Sequence, residues 1–121
     1  SVGGAVQMGE TAEDAVIREV FEETGIYYEI DHLAIIHENF FNKSNGTLKK
    51  LNCHEICLYF FMKPKGTQEL HSNSYTHGVK EEMYWIPIKD LENHKIFPSF
   101  IKEYLDTEHT GIEHIVTDER M

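Results

Sequence analysis

Between Thr11 and Gly25 the apolar residues Val16, Ile17, Val20 and Phe21 recur at helical spacing among charged neighbours, which predicts a helix over Ala12 to Thr24. Its ends are written locally. Thr11 is a good N-cap, with Asp14 placed to reach back in a capping box, and Gly25 stands where a helix closes in a left-handed C-cap. At about 100° per residue, Glu19, Glu22 and Glu23 fall within an arc of roughly 100°, Ile17 and Phe21 lie opposite, and Val16 and Val20 lie between. The acidic and apolar edges are therefore separate. Ala12 and Ala15 share the acidic face, where small side chains leave room for something to approach.

The pattern then changes period. Tyr27 to Phe41, YYEIDHLAIIHENFF, is rich in β-branched and aromatic residues and predicts an extended strand, bent near Asp31-His32. Ser44-Asn45-Gly46 is a turn signal, and Cys53 to Met62, CHEICLYFFM, is a second strand with apolar residues on both faces. Such a strand is expected inside a sheet covered on both sides. Lys63 to Lys80 loses periodicity and gathers Gly, Ser, Asn and His, which predicts a mobile loop; His71 and His77 within it read as plain surface residues. Glu82 to Ile88 reads as a further strand, and Pro98 to Leu105 as a short amphipathic helix with Ile101, Tyr104 and Leu105 inward and proline in its first turn. The tail carries one apolar alternation, Ile112 to Val116, suited to an edge strand.

A chain of 121 residues supports one domain, and 40% hydrophobic residues is enough for a real core. A net charge of −10 excludes a nucleic-acid groove, because phosphate backbone would be repelled without a basic patch. No apolar run is long enough to span a bilayer and no signal-peptide pattern opens the chain, so the expected compartment is the cytoplasm. Cys53 and Cys57 in CHEIC invite a metal reading, but on a strand they stand about 13 Å apart with His54 on the other face. Buried free thiols are the expectation.

Glu19, Glu22 and Glu23, at i, i+3 and i+4 near a helix C-terminus, repel one another and oppose the macrodipole. A hard divalent cation such as Mg²⁺ or Mn²⁺ relieves that cost. The plainer alternative is a solvated acidic face. Gly3-Gly4 and Gly9 lie in the preceding loop, where glycines let backbone come close to a metal or phosphate. The stretch Gly4 to Ile26 resembles the Nudix box, G-x5-E-x7-R-E-U-x-E-E-x-G-U with U aliphatic, at all nine fixed positions: Gly4, Glu10, Arg18, Glu19, Val20, Glu22, Glu23, Gly25 and Ile26. Trp85-Ile86-Pro87 to Leu91 is similar to the downstream end of many Nudix domains. Val2 stands where that family often has proline.

The resemblance implies an α/β fold of the Nudix type, an α/β/α sandwich with a mixed sheet between helices, over residues 1–121 as a single domain. Strands that such domains carry upstream of the box are missing here, so the expectation is a chain trimmed at its N-terminus. It also implies a metal-dependent hydrolase acting on a nucleoside diphosphate linked to another moiety. On that reading Gly3 (through its carbonyl), Glu19, Glu22 and Glu23 are metal ligands for Mg²⁺ or Mn²⁺, Arg18 braces Glu22, and Glu10 partners Arg18. The catalytic base is Glu19 or a later glutamate, Glu81 or Glu82, with Glu82 carried among the catalytic candidates; Glu38 stays outside the set. Tyr27, Tyr28, Phe40, Phe41 and Tyr75 are candidates for a stacking surface. The alternative is a non-catalytic Nudix-like module that binds or senses a nucleotide. The expected partner is a small nucleoside diphosphate derivative, with no nucleic acid and no membrane, and a homodimer is left open.

Overall fold

The structure is a computed structural model and describes residues 2–44, 50–68, 75–76, 79–80 and 85–120. Helix α1 spans Ala12–Thr24, as its local signals dictate. The Thr11 hydroxyl accepts from the Asp14 N–H at 3.1 Å. At the other end Gly25 takes φ 76° and its N–H donates to the Phe21 carbonyl at 2.7 Å, a conformation that glycine enters without a Cβ penalty. The Thr24 hydroxyl donates to the Val20 carbonyl and accepts from the Ile26 N–H, turning the chain out of the helix.

Strand β1, Ile30–Ser44, and strand β2, Lys50–Met62, pair antiparallel. The register shifts between Ile30 and His32 and again between Leu33 and Ile35, so the bend expected near Asp31-His32 is present as a bulged start to β1. A two-residue ribbon, β3 (Tyr75–Thr76) with β4 (Val79–Lys80), follows. The segment expected as a mobile loop thus contains this pairing among its described residues; His71 and His77 lie outside them. Glu81 and Glu82 also lie outside them. The expected strand to Ile88 is corrected in its described part: Trp85 to Pro87 is irregular and leads into a 3-10 turn at Ile88–Asn93. Helix α2, Phe100–Leu105, and strand β5, Glu113–Asp118, complete the order.

β5 runs parallel to β1, so the three-stranded sheet is mixed, ordered β2-β1-β5. The apolar tail alternation does form an edge strand. One correction concerns β2: among the described residues β1 is the central strand and β2 is an outer one, with Ile56 62% exposed. Strand alternation explains why both faces of β2 are apolar without both being covered. Tyr59 and Cys57, opposite Ile35 and His37, lie on one face, and Ile56 and Leu58, opposite Glu38 and Ile36, lie on the other.

Helix α2 covers the first face. Tyr104 is buried with Ala34 and Ile35, and Tyr59, Phe100, Ile101, Leu105 and Ile115 pack around them, so the inward residues expected of this helix are the ones that meet the sheet. Cys53 and Cys57 are free and half-buried. Burial and a hydrogen bond to Glu55 push the Cys57 thiol up to about 11, which leaves it protonated and inert at neutral pH.

The same face buries His37, which is 4% exposed and edge-on to the Phe100 ring at 4.8 Å. Its Nε2 lies 2.8 Å from the Thr117 hydroxyl oxygen, whose proton is used on Asn39 Oδ1 at 2.6 Å. Nε2 is therefore the donor. Nδ1 is buried with no partner, so the ring is neutral. Burial lowers its pKa below the ordinary 6.5, partly offset by Glu55 and Glu119. The unfolded chain then binds this proton at a higher pH than the folded one, so stability is full above about 6.5 and falls as pH drops below it. Thermal melting of wild type should lose stability from pH 7 to 5.5, and His37→Phe should reduce that slope. An unchanged slope in the variant would show that His37 does not carry it.

Candidate functional site

The acidic face of α1 is organised by one guanidinium. Arg18 Nε and Nη2 donate to the two oxygens of Glu10 at 2.8 and 2.9 Å, Nη1 donates to Glu19 Oε1 at 2.7 Å, and Nη1 lies 3.4 Å from both oxygens of Glu22. Nη2 also donates to the Ala5 carbonyl at 3.2 Å. The planar fork of arginine matches a carboxylate with two parallel bonds and still has donors to spare, which lysine cannot reproduce. The partnership expected between Arg18 and Glu10 is thus present in bidentate form, and the brace on Glu22 is its long outer arm.

The loop before the helix is laid back along this face. Gly3 N–H donates to Glu23 Oε2 at 3.0 Å, Gly4 lies against the Glu19 carboxylate, and Ala5 meets Arg18. A Cβ on Gly4 would collide with that carboxylate, so the position excludes every larger residue unless Glu19 or the loop moves. Gln7 N–H donates to Glu10 Oε1 at 3.0 Å, closing the loop on the residue that holds Arg18. Ala15, one turn before Glu19, is 3% exposed. The room expected beside Ala15 is therefore absent, since Ala15 is buried, while Ala12 is half-buried.

Gly3, Arg18, Glu19, Glu22 and Glu23 are therefore brought together. The Gly3 amide N–H, donating to Glu23, holds the loop beside these acids. Within this cluster Glu22 is the most open acid, at 51% against 17% for Glu19, with Glu23 half-buried. Among the described residues no three His, Cys, Asp or Glu side chains converge on one point as they stand. Glu81 and Glu82, the later candidates for the base, lie outside the described residues.

Glu38 is committed elsewhere. Its two oxygens meet His54 Nε2 at 2.9 Å and His114 Nε2 at 2.6 Å, one imidazole from each neighbouring strand. His54 lies opposite Phe40 and His114 opposite Ile36, so the two rings reach Glu38 from opposite ends, and His114 first, then His54, hold its carboxyl below the usual range. Sequence reasoning placed neither histidine near it, since the pairing depends on strand register.

Arg18, and after it the Gln7 N–H, hold the Glu10 carboxyl down to about 2 from its ordinary 4.5; Glu10, then Glu19, raise Arg18 in return. Arg18→Gln should therefore return the Glu10 midpoint most of the way towards 4.5, read by carbon NMR titration of the glutamate carboxyls. A Glu10 midpoint still near 2 in that variant would show that the loop, not the guanidinium, holds the charge.

Comparison with known proteins gives two findings. A family model described as NUDIX domain matches residues 1–107. A MutT-like protein from Streptomyces ambofaciens is 36% identical over 74 residues, which is 61% of this chain and 41% of that protein. The chain thus matches less than half the length of that relative. No helix among the described residues is long and apolar enough to cross a membrane.

Proposed function

Because the chain belongs to the NUDIX domain family, we propose that the acidic face of α1 serves a divalent-cation-dependent hydrolase, one that cleaves the diphosphate linkage of a nucleoside diphosphate joined to another moiety. The observation that carries this reading is the gathering of Glu10, Glu19 and Glu22 on the Arg18 guanidinium beneath a glycine loop that also meets Glu23. An acidic face that was merely solvated would have no need of a covering loop.

The donor set fits Mg²⁺ or Mn²⁺: it consists of carboxylate oxygens, which hard cations prefer, and each carboxylate keeps lone pairs beyond those already engaged. Glu22, Glu23 and Glu19, with the Gly3 backbone, are the residues that would hold the ion. When bound, a divalent cation supplies an acidified water and neutralises charge on the diphosphate. The chain's own part is positional. Arg18 fixes Glu19 Oε1 and restrains Glu22, Glu10 fixes Arg18, and Gly4 gives the Glu19 carboxylate its seat. Glu19 is either a ligand or the group that takes the proton from water; Glu82 is the alternative for that second role.

The test is release of phosphate or nucleoside monophosphate from a panel of nucleoside diphosphate derivatives, with and without Mg²⁺ or Mn²⁺. Metal-dependent turnover is expected. Glu22→Gln should lower kcat/KM by at least about a hundredfold while the melting temperature without metal stays near that of wild type. Activity surviving in Glu22→Gln would remove the ligand assignment. No turnover on any compound, with metal still raising the melting temperature by mass action, would replace the enzyme by a nucleotide-binding module.

A further inference from the structure

The last turn of α1 is electrostatically the least favoured part of that helix, and it carries two of the clustered acids. Val20 to Thr24 holds Glu22 and Glu23, two anions at the negative end of the macrodipole, and no basic side chain. The final carbonyls of a helix also lack intrahelical partners. Left to itself such a turn frays. Fraying would release Glu22 and Glu23 while Arg18 and Glu19 stayed in the body of the helix.

Thr24 closes that turn. Its side chain is buried, with the residue 6% exposed, and its hydroxyl acts in both directions. The proton is donated to the Val20 carbonyl at 2.7 Å, and the oxygen accepts the Ile26 N–H at 3.2 Å. One buried oxygen thus ties the start of the turn to the chain that leaves it, and Glu22 and Glu23 lie on the segment between. Glu23 is also held from outside, by the Gly3 N–H on its Oε2 at 3.0 Å. The Gly25 N–H on the Phe21 carbonyl and the Tyr27 ring stacked on Phe21 fasten the same turn. The Thr24 bonds are the ones that a single substitution removes without touching a backbone angle or a ring contact. Valine keeps the shape of the side chain, lacks the hydroxyl, and leaves the Ile26 N–H without its acceptor.

We propose that Thr24 is a positioning residue for the divalent-cation site, holding the last turn of α1 closed so that Glu22 and Glu23 are presented together with Glu19. This rests on the cation-dependent reading above and adds a residue that acts through the carboxylates rather than on the cation. The dependence is reciprocal: a closed turn that favours the cation is a turn that the cation keeps closed.

Two measurements on the full chain test it. Mn²⁺ binding, read from the free-ion EPR signal well below the melting temperature, should weaken roughly tenfold in Thr24→Val and stay within about threefold of wild type in Thr24→Ser, which keeps the hydroxyl. A role confined to stability would lower the melting temperature of Thr24→Val and leave the Mn²⁺ affinity of the folded protein unchanged. Independently, Mg²⁺ should slow hydrogen exchange of the Thr24 and Gly25 amides of wild type more than that of the Val16 amide, nearer the start of the helix. Mn²⁺ affinity in folded Thr24→Val within about twofold of wild type overturns the positioning role and leaves the cation site standing. No Mn²⁺ binding by wild type removes the cation site and this role with it. If Thr24→Val does not fold, exchange decides: selective protection of the last turn by Mg²⁺ upholds the role, and protection no greater than at Val16 overturns it.

Discussion

Everything on the acidic side of this molecule depends on the Arg18 guanidinium. Three glutamates at i, i+3 and i+4 near a helix C-terminus repel each other and face the negative end of the macrodipole, and the last turn of α1 contains no basic residue to offset them. Arg18, placed one turn earlier, supplies the compensation from within the helix. It also binds Glu10 and the Ala5 carbonyl, so the group that neutralises the face is the group that fastens the loop to it. Charge balance and loop position are consequently one property rather than two.

The sheet is held by a different kind of constraint. β1 is the only strand with two neighbours in the three-stranded sheet of the described residues, and two polar arrangements are anchored on it. On one face, Glu38 is gripped by an imidazole from each flanking strand. On the other, His37 reaches Thr117 of β5 beneath Phe100 of α2. The Glu38 arrangement needs all three strands in register and the His37 one needs β5 docked on β1, so neither can form in the β1-β2 hairpin alone.

This difference decides what was legible in the sequence. Helix α1 was readable to the residue because its determinants are local: a cap at Thr11, a stop at Gly25 and the spacing between them. The Arg18-Glu10 pair was readable because the box spacing links the two residues. The interior placement of β2 was misread because two apolar faces tell which residues tolerate burial, not what covers them. The partners of Glu38, separated from it by 16 and 76 residues, depend on register and on a parallel crossover that no local pattern encodes. Gly4 lay between these cases. A glycine there signalled a close approach, but only the folded loop showed that the Glu19 carboxylate is what approaches.

The same division explains why the box announces a chemistry without a substrate. On the reading proposed above, the residues that gather negative charge on α1 serve a feature shared by every diphosphate, and their spacing is fixed by one helix. Whatever distinguishes one diphosphate from another must be met by side chains beyond that helix, where position is set by the chain's exit from it. Tyr27 is an early residue past that exit: it follows the Gly25 stop and the Thr24-Ile26 turn, and its ring is stacked on Phe21. A change in how the helix ends would move that ring while leaving Arg18 and Glu19 where they are.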